Sequence, residues 1–299
     1  MLHLPGNVEL IDEKPFYTPY GLKRRFNYSK LCTCDFYIRG TEKGDVAPYG
    51  AICYEDILNI DHHAPLDWMC RHISSTTIAI DYVKKYGPLP EDCKVLINHT
   101  DCDAILSMLI MTGVLEPEDM YNEAAIAADH TGDENDIADL LQAMQKEKDI
   151  SFSIRNLDAL LNGRAIDDEA LRLLDKRKDE RKKIKKLVDD GKFSYQDSIT
   201  YIKLDEKIES GLIPKYVPDA KIVMMARPMP EGSAKEWSIH LRLGNEAGEI
   251  RLDMLNLPDF GCRWNAGSTK RYGGTDVSPE KFLEIAIEEV NRVYPDILY

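Results

Sequence analysis

Lys94-Val-Leu-Ile-Asn-His-Thr-Asp-Cys-Asp103 begins as a short apolar run and ends in a histidine and two aspartates. The run predicts a β-strand over 94–98, because it is short, aliphatic and bounded by polar residues. Residues 104–112 are almost wholly apolar, which predicts a buried helix closed by Gly113. The same pattern recurs nearby. Residues 57–60 run into Asp61-His62-His63, 124–128 run into Asp129-His130, and 34–38 supply a fourth predicted strand. Between them, Ser74-Ser-Thr-Thr77 opens a helix that Gly87-Pro88 stops. Such alternation predicts β/α units around a largely parallel sheet.

The pattern then changes. From about Glu134 to Phe193 it is helical and highly charged, with acids early and bases late over 167–190, an order that complements a helix dipole. No apolar residue falls between Leu174 and Ile184. This predicts a solvated helical connector over 151–194 rather than a basic helix gripping nucleic acid, because acids are interspersed among the bases. Short strands return at 199–204, 221–226 and 237–243. A Gly-rich segment follows, and then a helix with Ser278 at its N-cap, Pro279 at N1 and an apolar face of Phe282, Leu283, Ala286, Val290 and Val293. The expected fold class is α/β: a parallel-sheet domain over 1–150 joined by the helical connector to a smaller α+β domain over 195–299.

Composition narrows the function. The chain has 299 residues, 43% of them hydrophobic and 30% charged, so it can bury a core and two domains are expected. Fifty-two acids against thirty-eight bases leave a formal charge of −14, which argues against broad binding to duplex nucleic acid. No stretch nears the ~18 consecutive apolar residues that a membrane span needs. Met1-Leu-His-Leu-Pro-Gly6 has no secretory pattern. Seven cysteines at scattered spacings suit a reducing compartment. A soluble, cytoplasmic protein is therefore expected, without a membrane partner.

The predicted strand ends carry the chemistry. Four of the seven histidines lie there, each within two residues of an aspartate. In open α/β sheets, ligands bind outside the carboxyl ends of the strands. Carboxylates with a few imidazoles and no paired thiolates suit Mn²⁺ or Mg²⁺, with other divalent metals possible. Five or six such groups exceed the needs of one ion, so two ions sharing a carboxylate are expected. Two ions roughly 3.5–4 Å apart can activate a water and stabilise both oxygens of phosphoryl transfer. In an extended segment His99, Asp101 and Asp103 point the same way and can converge. Cys102 then packs inward. Cys32-x-Cys34 lacks a second pair at zinc-finger spacing and is assigned to strand residues.

These residues resemble the DHH phosphoesterase superfamily. Asp61-His-His63 followed by Ser74-Ser-Thr76 looks like its signature, and His99-Thr-Asp-Cys-Asp-Ala-Ile-Leu-Ser107 resembles its D-x-D-x-x-x-S motif. Ala127-Ala-Asp-His-Thr-Gly-Asp-Glu-Asn135 is similar to its later Asp motif. Trp237-Ser-Ile-His-Leu-Arg-Leu243, Gly261-Cys-Arg-Trp-Asn-Ala-Gly267 and Gly273-Gly274 look like the accessory DHHA1 domain. The resemblance implies His62, His99, Asp101, Asp103 and Asp129 as metal ligands, with His63 at the scissile phosphate and Asp61 orienting. It implies substrate recognition by Arg242, Arg263, Asn265, Lys270 and Arg271, with Gly267, Gly273 and Gly274 permitting close backbone approach. Two features depart from the family: the D-x-D motif follows Asp-His-His instead of preceding it, and one bridging aspartate has no clear counterpart, Asp35 being a weak candidate. Trp264 could stack on a base or simply pack.

The resulting expectation is a hydrolase of small nucleotide phosphoesters: short single-stranded oligonucleotides, nucleoside bisphosphates or cyclic dinucleotides. It would use a dinuclear Mn²⁺-type centre over which the C-terminal domain closes, in a monomer or a homodimer. The alternatives are a pyrophosphatase-like phosphoanhydride hydrolase and a non-catalytic metal- and nucleotide-binding sensor.

Overall fold

A computed structural model describes all residues except 15, 27, 48, 49, 68 and 296–299. Two sheets of six strands each organise the chain. The first is built from β1 (Val8–Leu10), β2 (Lys30–Cys34), β3 (Asp45–Val46), β4 (Ile52–Tyr54), β5 (Ile57–Ile60) and β6 (Cys93–Ile97), in the order β1-β6-β2-β5-β4-β3. Strands β1, β6, β2 and β5 run parallel, while β4 and β3 fold back antiparallel at one edge. The three central strands, β6, β2 and β5, are almost wholly buried, as expected where helices cover a parallel sheet.

This order positions the site. β2 lies between β5 and β6, so the three carboxyl ends emerge side by side. The expected strand over 34–38 is corrected: β2 comes four residues earlier. Asp35 adopts a left-handed backbone, φ 61°, and ends the strand after its N–H bonds Ile60 O at 2.8 Å. The apolar residues beyond it, Phe36 and Ile38, are buried in a loop cluster with Tyr17, Leu22 and Phe26.

The helices around this sheet are α1 (Pro19–Arg25), α2 (Ser75–Tyr86), α3 (Cys102–Met111), α4 (Asp119–Ile126), α5 (Asp136–Met144) and α6 (Ile150–Leu161). All ten residues of α3 are buried, and it packs on α2, α4, α5 and α6 as well as on β6 and β2. Its apolar composition on every face is what such a central position requires. α2 begins with a reciprocal capping box between Ser74 and Thr77 and ends at Gly87, φ 78°. The expected strand over 124–128 is a second correction: these residues finish α4 and enter a π-helical turn, Ala127–Thr131. Alanine is the strongest helix former, and a run of apolar alanines does not distinguish a buried helix from a strand.

α7 (Asp168–Asp189) follows, and the chain divides into two compact units within it. One unit comprises Met1–Asp129 with Glu134–Arg177; the other comprises His130–Asp133 with Lys178 onward. The helix is not solvated on all sides, because Arg177 and Arg181 are buried along with Ala170 and Ile184. Arg177 Nε pairs with Asp139 at 2.8 Å, and Arg181 donates to the Gly132 and Asp133 carbonyls at 2.6 and 2.9 Å. These partners are distant in sequence, so the charge pattern alone could not reveal them.

The second unit holds β7 (Ser194–Gln196), β8 (Ile199–Lys203), β9 (Ile222–Pro228), β10 (Trp237–Leu243), β11 (Gly261–Cys262) and β12 (Ala266–Ser268), in the order β11-β12-β10-β9-β8-β7. Only β8 and β9 pair in parallel. Helix α8 (Pro279–Val293), capped by Ser278, buries Phe282, Leu283, Ala286 and Val290, while Val293 is half-buried. Among the described residues no helix is long and apolar enough to cross a membrane.

The Arg177–Asp139 pair provides a test of the buried α7 face. Asp139→Ala leaves a guanidinium in a buried position without its carboxylate, and is expected to lower stability by about 3 kcal/mol. Urea unfolding of the variant measures this. A change near zero would show that the pair is effectively solvated.

Candidate metal centre

Three strand ends and two helix starts build the site. His62 and His63 follow β5, Asp35 follows β2, and His99, Asp101 and Asp103 follow β6. His62 Nδ1 lies 3.1 Å from Ile73 O, a contact that requires the ring proton on Nδ1 and turns Nε2 toward carboxylates. That Nε2 is 3.6 Å from Asp35 Oδ1, 3.7 Å from Asp103 Oδ2 and 3.4 Å from Asp129 Oδ2. On the other side of Asp35, His99 Nε2 is 3.0 Å from Asp35 Oδ2 and 3.1 Å from Asp101 Oδ2. His99 Nδ1 is held by Asn98 Oδ1 at 2.5 Å.

The ligand atoms fall into overlapping groups. Asp35, His62, Asp103 and Asp129 offer atoms within 4.8 Å of one another; so do Asp35, His99 and Asp101, and also Asp35, His62 and His63. Asp35 belongs to all three. The structure thus brings together the residues that the sequence singled out, and adds the shared carboxylate. It also divides the His99-x-Asp101-x-Asp103 run. Extended alternation stops at Asp101, which caps α3 by accepting Ala104 N–H at 3.0 Å. Asp103, one residue into the helix, therefore joins His62 and Asp129 rather than His99. Cys102, between them, is fully buried.

The α2 start supplies what sequence reasoning missed. Asp103 accepts the backbone N–H groups of Ser75 at 2.7 Å and Thr76 at 2.6 Å, where the helix terminus favours negative charge. Ser75 Oγ donates to Asp35 at 2.9 Å and accepts His62 N–H at 3.3 Å. In the sequence, Ser74-Ser75-Thr76-Thr77 reads as a cap and as part of a family resemblance, and neither reading shows that it holds Asp35 and Asp103. Its second role needs the crossover that places α2 over these strand ends. Asp61 lies outside the ligand groups and its Oδ1 holds His63 Nδ1 at 2.8 Å. Asp129 is carried by the π-helical turn, a distortion that often marks functional sites.

Electrostatics favour a cation here. Burial, with the charges of Asp103 and Asp101, holds the Asp35 carboxyl well above the usual carboxylate range. Burial raises Asp103 as well. Burial also penalises the charged form of His62, but Asp129, Asp103 and Asp35 outweigh it and push the imidazole up to about 10. His99 is raised by Asp101 and Asp35 against its own burial, and its charge draws Asp101 down to about 2 although burial opposes this. Among the described residues no lysine or arginine pairs with Asp35, Asp101 or Asp103; the ionisable groups facing them are imidazoles. A buried set of carboxylates and imidazoles, short of positive charge, fits divalent cations of the Mn²⁺ or Mg²⁺ type.

The residues expected to recognise substrate belong to the second unit. Arg242 is half-buried on β10, and Arg263 is exposed in the turn between β11 and β12. Asn265 is buried, and its backbone carbonyl accepts Leu243 N–H at 3.0 Å. Lys270 and Arg271 are exposed in the short helical turn Thr269–Tyr272, closed by Gly273 at φ 81°. Burial and the nearby Arg263 charge lower the Arg271 pKa, so the two guanidiniums face each other's field. Gly267 has an internal reason to be glycine: a Cβ there would lie 2.4 Å from both Cys262 Cβ and Phe260 Cζ. A Cβ at Gly274, φ 108°, would come within 2.9 Å of Trp237 O. Trp264 is buried with its ring 5.7 Å from that of His130, which is the packing alternative.

No protein-family model matches the chain, and no curated protein matches it. Among solved structures the chain is similar to a pGpG-specific phosphodiesterase, PggH from Vibrio cholerae. The identity is 13% and the TM-score 0.40, over 70% of this chain and 82% of that one.

The raised His62 makes metal-free stability depend on pH. Its contribution is complete below the unfolded value near 6.5 and is lost as pH rises toward about 10; the raised Asp35 and Asp103 act in the same direction. With chelator, the melting temperature is therefore expected to fall across that window. Mn²⁺ is expected to raise it by about 5 °C or more at saturation, and by more above neutral pH than below it, since the cation replaces protons. A melting temperature indifferent to Mn²⁺ at every pH would exclude the cluster as a metal centre.

Proposed function

We propose that the chain is a metal-dependent phosphoesterase of the DHH type that hydrolyses small nucleotide phosphoesters. The observation that carries this reading is Asp35, one buried carboxylate shared by a His62/Asp103/Asp129 group and a His99/Asp101 group. That arrangement would hold two divalent cations side by side, with Asp35 common to both. Bound cations of this kind supply a nucleophile at neutral pH and neutralise charge on the phosphoryl group.

The side chains then have distinct tasks. Asp103 is fixed by two amides of α2, and His62 by the Ile73 carbonyl, so the ligands are held in place before any ion binds. Asp61 Oδ1 accepts from Nδ1 of His63, and the ring in its imidazolium form would give its Nε2 proton to the leaving oxygen. Recognition of the phosphate or base falls to Arg242, Arg263, Asn265, Lys270 and Arg271. Of these, Arg263 and Arg271 have no carboxylate partner among the described residues. A net charge of −14, with only Arg263, Lys270 and Arg271 in the Gly-rich segment, favours a small anionic substrate over a long polyanion. The shared carboxylate answers one of the two departures that favour a sensor without turnover, the missing bridging aspartate; the other, the rearranged motif order, stands.

Turnover of a short oligonucleotide, a nucleoside bisphosphate, a cyclic dinucleotide and pyrophosphate, with Mn²⁺ and with chelator, tests the proposal. Mn²⁺-dependent cleavage of one nucleotide is expected. Asp35→Asn and Asp103→Asn should each reduce it at least ~100-fold, and Asp61→Asn about 10–100-fold. Fast cleavage of pyrophosphate alone would favour the phosphoanhydride reading. Wild-type turnover by folded Asp35→Asn protein would end the proposal.

A further inference from the structure

The second unit contains a cavity of about 220 Å³ that the metal centre does not use. It is lined by Leu204, the 206–210 segment, Met225 to Arg227 and His240. The strand register explains the grouping. His240 lies opposite Met225 on one side and Ser268 on the other, and Ser238 lies opposite Arg227. Residues directly paired, or two apart on a strand, share a face, so Arg227, Ser238, His240 and Ser268 line one side of the sheet. Farther along that face, Val223 and Met225 enter the core with Leu212, Ile213 and Ile202. The face is therefore apolar at one end and cationic at the other.

Three positive charges bear on His240: those of Arg227, Lys270 and Lys207. Neither Arg227 nor Lys207 has an ion-pair partner among the described residues. Two acids lie on the lining as well. Glu206 is taken by Lys183 at 2.6 Å, and Glu209 donates its backbone N–H to Glu180 at 2.9 Å. Burial, then these cations, hold His240 neutral, with a pKa lowered to about 4. Its Nε2 lies 3.1 Å from Ser238 Oγ and 3.3 Å from Ser268 Oγ. Each hydroxyl can donate to that nitrogen or accept from it, and the neutral ring keeps one N–H donor in either tautomer. Cations brought together without ion pairs of their own cost stability, and a bound anion lowers that cost.

We propose that this cavity, with Arg227, Lys207 and His240, binds the phosphomonoester of a nucleotide. A dianion matches two converging cations and a neutral donor better than a diester's single charge does. The volume suits a phosphate with part of its sugar rather than a whole dinucleotide. The choice of a nucleotide rests on the phosphoesterase reading above, whereas the anion site rests on the cavity itself. If both hold, substrates with a free terminal phosphate bind more tightly than cyclic ones that lack it.

Calorimetry on the full chain in chelator separates the two claims, because no turnover is needed. Adenosine 5′-monophosphate is expected to bind at least about tenfold more tightly than adenosine, with inorganic phosphate competing. Arg227→Gln should weaken that binding about tenfold, and the exposed Lys207→Gln, which carries little folding risk, should also weaken it. Asp35→Asn should leave it unchanged while abolishing turnover. Equal affinity for the nucleoside and the nucleotide, or no effect of either cavity variant, overturns the proposal. Failure of turnover alone, with phosphate-dependent binding retained, would count against the phosphoesterase reading and leave the anion site standing.

Discussion

A carboxylate buried just past the end of a central strand has to be compensated, and the arrangement around Asp35 follows from that requirement. Its side chain is 1% exposed, and its neighbours are two more aspartates that raise the cost of ionising it. The fold answers with the Ser75 hydroxyl, the His99 imidazole and a strand order that puts β5 and β6 on either side. Asp103 is accommodated by a different device, the two free amides at the start of α2. Both compensations depend on the β5–α2–β6 crossover passing over β2. Without that topology, the acids at the strand ends would be four separate turn residues.

The same constraint makes sense of the backbone at the site. Asp35 sits at φ 61°, a region that a short polar side chain tolerates best, and it stops the strand at the point where the carboxylate is needed. Asp129 hangs from a π-helical turn rather than a strand end. Asp101 serves twice, as the cap of α3 and as a neighbour of His99. Local irregularities here coincide with the positions that aim the clustered carboxylates and imidazoles at one another, and functional sites are where backbone strain is usually found.

The second unit compensates charge in the opposite sense. Its sheet turns one end of a face into a concave region with Arg227 and Lys207 on the rim and a neutral histidine within. Its glycines are as much structural as functional, since Gly267 and Gly274 are required by Phe260, Cys262 and the Trp237 carbonyl. A motif resemblance alone would assign both glycines to ligand contact. The packing around them shows that the loop needs its shape even before a ligand arrives.

Much of this was legible in the residues. Apolar runs followed by Asp or His marked β5 and β6, the uniformly apolar run after Asp103 marked a central helix, and Ser278-Pro279 marked α8. These signals are local: a period, a cap, a stop. Sequence reasoning failed wherever the deciding partner was remote. An apolar alanine run reads as a strand, residues 34–38 read as another, and Arg177 and Arg181 read as solvated charges, yet each is decided by a partner outside its own window. The sequence by itself determined which side chains could bind metal and that they stand at element ends, because ligand chemistry and hydrophobic periodicity are properties of neighbouring residues. Only the tertiary structure decided that Asp35 is the carboxylate they share, that Asp103 parts from Asp101, and that Arg227 and His240 line one cavity. Strand order and crossover path set those distances, and no short window of sequence encodes them.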